Sequence, residues 1–311
     1  MAAGILIIKL GALGDTIQAL GPMAAIRRAH ADAPITVLTT APYAELLGAS
    51  GLADDIWIDD RPGLAAAGRW LALRRRLRGA TFARVYDLQT SDRSAWYFRL
   101  FWPGPAPEWS GIAPGCSHPH ANPARDTQHT IERQREQLAM AGIDEVPAPD
   151  LSWATADLGN LDPGAKFALI APGGAAHRPA KRWPADCYAA LAVRLAGDGT
   201  RPVLVGGPED AALTAAIARE VSGSLDLGGR TSLLQLAALG RRAALAVGND
   251  TGPMHMFAVT GCPTLVLYSQ ASDPALCAQR GARVEIIRRA DLAALAVDEV
   301  FPTAMRLMPA P

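Results

Sequence analysis

The chain has 311 residues, of which 50% are hydrophobic and 6% aromatic, and this length suits two domains of roughly 150 residues each. Its 30 lysines and arginines balance 30 aspartates and glutamates, so no net charge draws it to nucleic acid. Four widely spaced cysteines without a C-x-x-C pair argue against a disulfide scaffold and a zinc site, and no apolar run approaches the roughly 18 residues of a membrane-spanning helix. Because a secretory signal is also missing, we expect a cytoplasmic protein with a small ligand.

Short apolar runs, of the kind that form parallel strands buried on both faces, alternate with helical patterns along the chain. They lie at residues 5–10, 35–39, 55–58 and 84–88, and again at 167–171, 202–205, 243–247 and 264–268. Residues 147–150 and 157–164 are rich in Pro, Gly, Asn and Asp and predict a linker region. The pattern predicts an α/β fold of two doubly wound parallel-sheet domains, residues 1–155 and 165–311, facing a ligand cleft at the carboxyl ends of their strands. The last helix either stays with the second domain or packs back on the first.

The loop after the first strand, residues 11–16, contains two glycines and leads into a helical run at residues 17–29. The glycines permit a tight turn that places Asp15 at the top of the first domain. There Asp15 either caps the helix or acts as a general base on a substrate hydroxyl. The loop does not match G-x-G-x-x-G, and the second strand ends in threonines where a ribose-binding acid is expected, so a nicotinamide enzyme is disfavoured. Nor does the chain contain a P-loop or a G-x-S-x-G segment.

Two segments of the first domain have two interpretations each. Five arginines surround apolar residues at positions 69–78, as in a solvated amphipathic helix or in a patch that rests on an anionic membrane. The aromatic run at residues 96–102 either packs in the core or contacts an acceptor or a membrane.

Cys116, His118, His120 and His129 carry atoms that bind metals, but their spacing matches no standard site and a proline restrains the histidine pair. No metal site is therefore expected. His129 instead opens a predicted helix that ends near Gly142 and contributes to the cleft.

Two loops of the second domain carry charged residues after predicted strands. In residues 172–184, small residues, with Gly173 among them, stand next to three cations. They predict an anion site in which Lys181 reaches a diphosphate, unless the cations are merely solvated. Residues 206–210 end in Glu209 and Asp210, where a carboxylate can accept both hydroxyls of a ribose or cap the next helix.

The most informative segment is Gly-Asn-Asp-Thr-Gly-Pro-Met-His at residues 248–255, where an apolar strand runs into a helix. Unpaired N–H groups at a helix N-terminus form an anion site. Gly248 and Gly252 would let a ligand approach the backbone, Thr251 is a suitable N-cap, and His255 would face the same ligand. We expect the ligand to contain a phosphate.

Six segments in chain order resemble the heptosyltransferase family of lipopolysaccharide core synthesis, glycosyltransferase family 9, and they cover nearly the whole chain. The segments are residues 7–9 with 11–15, 87–89, 129–133, 172–173 with 181–184, 206–208 and 248–255. Lys-Arg-Trp-Pro and Asn-Asp-Thr-Gly-Pro-Met-His are almost intact. The resemblance implies a GT-B fold of two Rossmann-like domains around a central cleft. It also implies a nucleotide-sugar in the C-terminal domain, a lipid-linked acceptor in the N-terminal domain, inversion at the anomeric carbon, and neither metal nor cofactor.

The resemblance also implies roles for individual residues. Asp15 matches the proposed base, and Lys181 matches a diphosphate contact. Either Glu209 or Asp210 stands where the family has a ribose-binding glutamate, and the offset fits Asp210 slightly better. The remaining donor-side positions are Gly173, Asp250, Thr251, Gly252 and His255, and the acceptor-side positions are Gly14, Thr16, Gln89, His129 and Arg133.

One segment departs from the family pattern. Residues 268–274 read Tyr-Ser-Gln-Ala-Ser-Asp-Pro where the family has Phe-Gly-Pro-Thr/Ser-Asp-Pro, which reshapes a loop near the donor. The expected function is transfer of a sugar, heptose from ADP-heptose, to a lipopolysaccharide inner-core or related glycolipid acceptor. The enzyme would work in the cytoplasm, with peripheral contact at the inner membrane left open. The alternatives are a nucleotide-sugar epimerase or hydrolase and a non-catalytic nucleotide-sugar-binding protein.

Overall fold

The computed structural model describes residues 3–159, 161–174 and 178–309. Ala175, Ala176 and His177 of the predicted anion loop lie outside the described residues.

The chain divides into two compact units, Met1–Pro149 and Asp150–Pro311, each with its own six-stranded parallel sheet. Much of the predicted linker is fastened to the second unit. Arg241 donates a hydrogen bond to the carbonyl oxygen of Leu151 (2.9 Å), and Arg201 donates one to the carbonyl oxygen of Asp162 (3.1 Å).

The first unit is a parallel sheet with the strand order β3-β2-β1-β4-β5-β6. Its strands are β1 (Gly4–Ile8), β2 (Ile35–Thr39), β3 (Asp55–Ile58), β4 (Phe82–Asp87), β5 (Glu108–Gly111) and β6 (His118–Pro119). Its helices are α1 (Leu13–Gln18), α2 (Leu20–Ala29), α3 (Ala41–Ala49), α4 (Ala67–Gly79), α5 (Asp92–Arg99) and α6 (Thr130–Ala139). The central strand β1 reads Gly-Ile-Leu-Ile-Ile and is buried at every position, as expected for a parallel strand covered on both faces.

The helical run predicted at residues 17–29 is two helices that meet at Ala19. Pro22 lacks the N–H that would bond to the Gln18 carbonyl in a continuous helix, which explains the interruption. The first helix also begins earlier than predicted, at Leu13, so Asp15 lies in a helical turn and not in a loop.

The second unit has the strand order β12-β11-β10-β7-β8-β9. Its strands are β7 (Phe167–Ala171), β8 (Arg201–Leu204), β9 (Leu225–Asp226), β10 (Leu245–Asn249), β11 (Thr264–Tyr268) and β12 (Val284–Arg288). Its helices are α7 (Ala185–Gly197), α8 (Ala211–Arg219), α9 (Leu233–Arg242), α10 (Gly252–Val259), α11 (Pro274–Cys277) and α12 (Val297–Leu307). The last helix packs on α7, and its Val300, Ala304 and Leu307 are buried in the core of its own unit.

The aromatic run at residues 96–102 divides between its two interpretations, because Tyr97 and Phe101 are buried whereas Trp96 and Trp102 are exposed. Within the described ranges, no helix has the length and apolar character needed to cross a bilayer.

In each sheet, the strands that follow the first strand along the chain lie first on one side of it and then on the other. In the first unit β1 lies between β2 and β4, and in the second unit β7 lies between β8 and β10. The crevice at the carboxyl ends of strands at such a switch point is where open α/β sheets bind ligands. Ligand-binding residues are therefore expected in the loops after β1, β4, β7 and β10.

Candidate functional site

Asp15 lies half-buried in the first turn of α1, the helix that follows β1. Its Oδ2 accepts a hydrogen bond from the N–H of Ala12 (3.3 Å), which is the capping contact that the sequence left open. Within the described residues its other oxygen, Oδ1, makes no hydrogen bond. Asp15 can therefore cap the helix and still offer an oxygen to a substrate hydroxyl.

A cavity of about 40 Å³ lies beside Asp15 at the switch point of the first unit. It brings together three predicted residues, Asp15, Gln89 and Arg133. Gln89 fixes the loop because its Oε1 accepts the N–H of Leu10 at 2.8 Å. Burial lowers the pKa of the Arg133 guanidinium, and the charge of Asp15 opposes that effect. A cavity of this size holds about one water molecule or a single hydroxyl group.

The other predicted acceptor-side residues do not line this cavity. Gly14 and Thr16 are buried within α1, and the Thr16 hydroxyl donates to the carbonyl of Ala12 at 2.9 Å. His129 is buried at the N-cap of α6, where its Nδ1 accepts the N–H of Ile131 at 3.2 Å. These three residues shape the backbone around the cavity.

Lys9 and Asp87 are buried at the same switch point, and neither was among the predicted site residues. The ammonium group of Lys9 donates to the carbonyl of Leu88 at 3.3 Å. Burial lowers the pKa of Lys9, whereas the charges of Asp15 and Asp87 raise it. Burial raises the pKa of Asp87 to about 6 in spite of hydrogen bonds from the N–H groups of Thr90 and Gln89. The signal that could have identified them is a charged residue at the carboxyl end of each of two adjacent strands, β1 and β4.

The raised pKa of Asp87 predicts a specific pH dependence of stability. Burial favours the protonated acid, so the folded chain binds this proton more tightly than the unfolded chain between pH 3.8 and about 6. The resulting stability is fully present below pH 3.8 and is lost as the pH rises through about 6. We expect the free energy of unfolding of Asp87→Asn, relative to wild type, to rise by up to about 3 kcal/mol across that window.

Urea unfolding of both proteins at pH 4, 5, 6 and 7 measures this difference, and matching circular dichroism spectra at pH 7 establish that both are folded. Parallel pH profiles for the two proteins would contradict the assigned pKa.

Asp250, which follows β10, is the most heavily bonded carboxylate of the second unit. Its Oδ2 pairs with the Lys181 ammonium at 2.7 Å and accepts the Ser272 hydroxyl at 2.5 Å. Its Oδ1 accepts the Tyr268 hydroxyl at 3.0 Å and the Gln279 amide at 3.2 Å. Burial alone would raise the pKa of Asp250, but the bonds from Lys181 and Ser272 hold it below its ordinary value. Asp250 therefore fixes the position of Lys181, with Tyr268 and Ser272 supplied by the segment that departs from the family pattern.

Asn249, also missed as a site residue, ties the loops after β7 and β10 together. Its Oδ1 accepts the N–H of Trp183 and the hydroxyl of Tyr188, both at 2.9 Å. Its Nδ2 donates to the carbonyls of Pro172 (2.8 Å) and Gly173 (3.0 Å). The side chain is fully buried, so these four bonds hold the switch-point loops at a constant separation.

The N-terminus of α10 carries a polar atom without a protein partner. Thr251 occupies the N-cap position as predicted, but its hydroxyl makes no capping bond and is buried without a partner among the described residues. His255 is buried one turn later, with its Nε2 3.1 Å from the amide nitrogen of Gln279. Gly252 begins the helix; Pro253 has no N–H and the N–H of Met254 donates to the Thr251 carbonyl at 3.2 Å, so in the described part of the chain the N–H of Gly252 is the one left for an anion.

Gly248 has a different role from the predicted close approach of a ligand. It lies inside β10, where a Cβ atom would stand 2.7 Å from both the carbonyl oxygen of Ala171 and the sulfur of Met254. The glycine is required for packing between strand and helix.

Asp210 and Glu209 differ in accessibility. Asp210 is buried, its Oδ2 accepts the N–H of Gly207 at 3.3 Å, and burial raises its pKa. A Cβ atom on Gly173 would lie 2.2 Å from that carboxylate, so the two loops touch there. Glu209 is exposed on the same loop. Accessibility thus favours Glu209 for a ligand and Asp210 for holding the loops together.

In the first unit, the two histidines of the weak metal candidate, His118 and His120, each lie next to a glutamate. His120 contacts Glu136 at 3.0 Å, and His118 lies 3.6 Å from Glu108. In residues 3–159, 161–174 and 178–309, no group of three or more His, Cys, Asp or Glu side chains is placed to hold a metal ion.

Comparison with known proteins places this geometry in a family. The family model described as glycosyltransferase family 9 (heptosyltransferase) matches residues 70–297. The chain is 27% identical to lipopolysaccharide heptosyltransferase 1 of Pseudomonas aeruginosa, over 85% of this chain and 78% of that protein.

Two solved structures share the fold. One is E. coli ADP-heptose lps heptosyltransferase II, with a TM-score of 0.81, 22% identity and 98% of each chain covered. The other is E. coli heptosyltransferase WaaC with ADP-2-deoxy-2-fluoro heptose, with a TM-score of 0.77, 21% identity, and 97% of this chain and 99% of that chain covered. The two doubly wound sheets thus form the GT-B fold, as the resemblance implied. The chain belongs to glycosyltransferase family 9, the heptosyltransferase family, and is a glycosyltransferase.

Proposed function

We propose that this glycosyltransferase transfers heptose from ADP-heptose to a lipopolysaccharide inner-core or related glycolipid acceptor, with inversion and without a metal ion. The observation that carries the proposal is the placement of Asp15 at one switch point and of Lys181 beside Asp250 and α10 at the other. A base and a site for a departing diphosphate are the two functions that a single displacement requires.

Asp15 is proposed as the base. In a single displacement the acceptor hydroxyl loses its proton while the sugar becomes oxocarbenium-like. The unbonded oxygen of Asp15 beside a cavity of about 40 Å³ supports this role, and a positioned base contributes roughly 10²–10⁴-fold.

The donor diphosphate is proposed to bind at the N-terminus of α10. Three groups support this: the Lys181 ammonium, the Thr251 hydroxyl, which is unpartnered among the described residues, and the N–H of Gly252 at the start of the helix. Together they can stabilise the charge that develops on the departing diphosphate without a bound cation. For the ribose we propose Glu209, because Asp210 is buried against Gly173 and Gly207.

The sugar and the acceptor are proposed from relatives. One E. coli protein with this fold is an ADP-heptose lps heptosyltransferase II, another was solved with ADP-2-deoxy-2-fluoro heptose, and the P. aeruginosa relative is a lipopolysaccharide heptosyltransferase. We place the reaction in the cytoplasm, where a nucleotide-sugar donor would be used. Family membership favours a transferase over the epimerase, the hydrolase and the silent binding protein.

Calorimetric titration of the purified protein with ADP-heptose, ADP, UDP-glucose and NADH, in the presence of a chelator, tests the donor. We expect ADP-heptose and ADP to bind in preference to the others. Preference for the uridine donor would overturn the proposed sugar nucleotide, and binding of NADH alone would overturn the function. Loss of ADP-heptose without an acceptor, at the rate seen with one, would indicate a hydrolase or epimerase.

A further inference from the structure

An exposed surface of the first unit combines tryptophans with arginines, and we call it the Trp/Arg face. It consists of Leu71, Arg74, Arg75 and Arg78 on α4, Trp96 and Arg99 on α5, and Trp102 just after α5. Trp102 is 75% exposed, Trp96 62% and Leu71 51%. Large apolar side chains that are exposed together on a folded domain indicate a binding surface for a protein, a membrane or a ligand.

Hydrogen bonds and ring contacts make this face one continuous surface. Arg74 donates to the carbonyl of Trp102 at 2.9 Å, and Arg78 donates to the carbonyl of Pro103 at 3.0 Å. The guanidinium of Arg99 lies 5.6 Å from the ring centroid of Trp96. The loop that carries Trp102 is thus fastened to α4 by the arginines beside it.

The core beneath the face does not need the exposed tryptophans. The same helices turn Leu77 and Tyr97 inward, and Phe101 follows them into the core that includes Trp109. Most of each outward indole therefore lies outside the core of the unit, and its exposure has no compensating gain in the chain itself.

The face is also a local excess of positive charge in a chain of zero net charge. Residues 59–108 contain nine arginines against four aspartates and one glutamate; Asp87 is fully buried, and Glu108 pairs with Arg84. Within the described residues, Arg74, Arg75, Arg78 and Arg99 form no ion pair with a carboxylate. Their charge is therefore available to a partner that carries anionic groups.

We propose that the Trp/Arg face docks the first unit on an anionic lipid surface. Tryptophan prefers the boundary between headgroups and hydrocarbon, and arginines bind lipid phosphates, so this composition fits a membrane interface on both counts. Tryptophan and arginine are also enriched in protein interfaces, so a second copy of the chain is the alternative that the test must separate. A nucleic acid is less well matched, because the chain as a whole has no net positive charge. The inference stands on this surface alone and does not depend on the proposed donor or acceptor.

Cosedimentation with phospholipid vesicles tests the docking. The full chain should bind vesicles of phosphatidylglycerol mixed with phosphatidylcholine and bind pure phosphatidylcholine far more weakly. Removing two charges with Arg75→Gln and Arg99→Gln should weaken binding by roughly 25-fold, about fivefold for each arginine near an anionic surface. Trp96→Ala with Trp102→Ala should weaken vesicle binding by at least about tenfold, because the variant lacks the two indoles that docking would bury in the lipid.

The matched control removes the same charge from the second unit, with Arg219→Gln and Arg242→Gln, both exposed there. This variant should bind vesicles as wild type does, and all variants should keep the wild-type melting temperature and ADP affinity. Equal binding by all variants, or no binding by wild type, would overturn the proposal. So would a wild-type dimer that the tryptophan variant converts to a monomer, since the face would then be a protein interface.

Discussion

Replacement of Asp15 by asparagine is expected to lower the rate of glycosyl transfer by roughly 10²–10⁴-fold while leaving ADP affinity almost unchanged. Asparagine has the same shape, and its amide oxygen can still accept the N–H of Ala12, so the cap on α1 survives. What it lacks is a basic oxygen for the acceptor proton. Turnover with acceptor, together with calorimetry with ADP, measures the two effects separately.

The matched control for this change is Asp92→Asn. Asp92 also lies in the first turn of a helix, α5, and is exposed. Both changes remove one negative charge near a helix N-terminus, so any common loss reflects the helix and not the chemistry. If Asp15→Asn retained wild-type turnover, Asp15 would be a cap only and the proposed base would be wrong.

Replacement of Lys181 by alanine is expected to weaken ADP binding by roughly 10- to 100-fold, the usual worth of a hydrogen bond to a charged group. The loss should be confined to ligands with a diphosphate, so adenosine should bind equally to both proteins. Calorimetry with ADP and adenosine measures this. Lys166→Ala is the control, because Lys166 is an exposed lysine of the same unit whose partner, Asp198, lies 3.6 Å away.

The ion pair between Lys181 and Asp250 allows a sharper test. If Lys181 only neutralises Asp250, then adding Asp250→Asn to a Lys181→Met variant removes the unpaired buried charge and restores ADP affinity. If Lys181 itself contacts the diphosphate, the double variant stays weak. Restored affinity would overturn the proposed contact.

The strands at the centre of each sheet could be predicted from the sequence, whereas several at the edges could not. Runs such as the apolar residues of β1 and β7 are buried at every position, which leaves a clear apolar signal. The strand β12 reads Val-Glu-Ile-Ile-Arg and has no fully buried position, and β6 has only two residues. Edge strands form because a neighbouring strand offers unpaired backbone groups, and a single sequence does not display that neighbour.

The candidate site was predictable where function depends on local order along the chain. A strand that runs through a Gly-rich turn into a helix predicts an anion site whatever surrounds it, and Thr251 with Gly252 takes that position in α10. The prediction was weaker where side-chain direction mattered. Because α1 begins at Leu13, the hydroxyl of Thr16 turns to the Ala12 carbonyl, away from the cavity beside Asp15.

The sequence by itself determined the fold class, the family and the loops that carry the chemistry, because apolar periodicity, turn residues and motif spacing are all short-range properties. Only the tertiary structure decided the partners of those loops. Asp250 meets Lys181 across 69 positions of sequence, and Asp87, whose backbone carbonyl accepts the amide of Gln137 from α6, gains its raised pKa from burial. Such contacts follow from strand order and burial, which arise only when distant segments pack together.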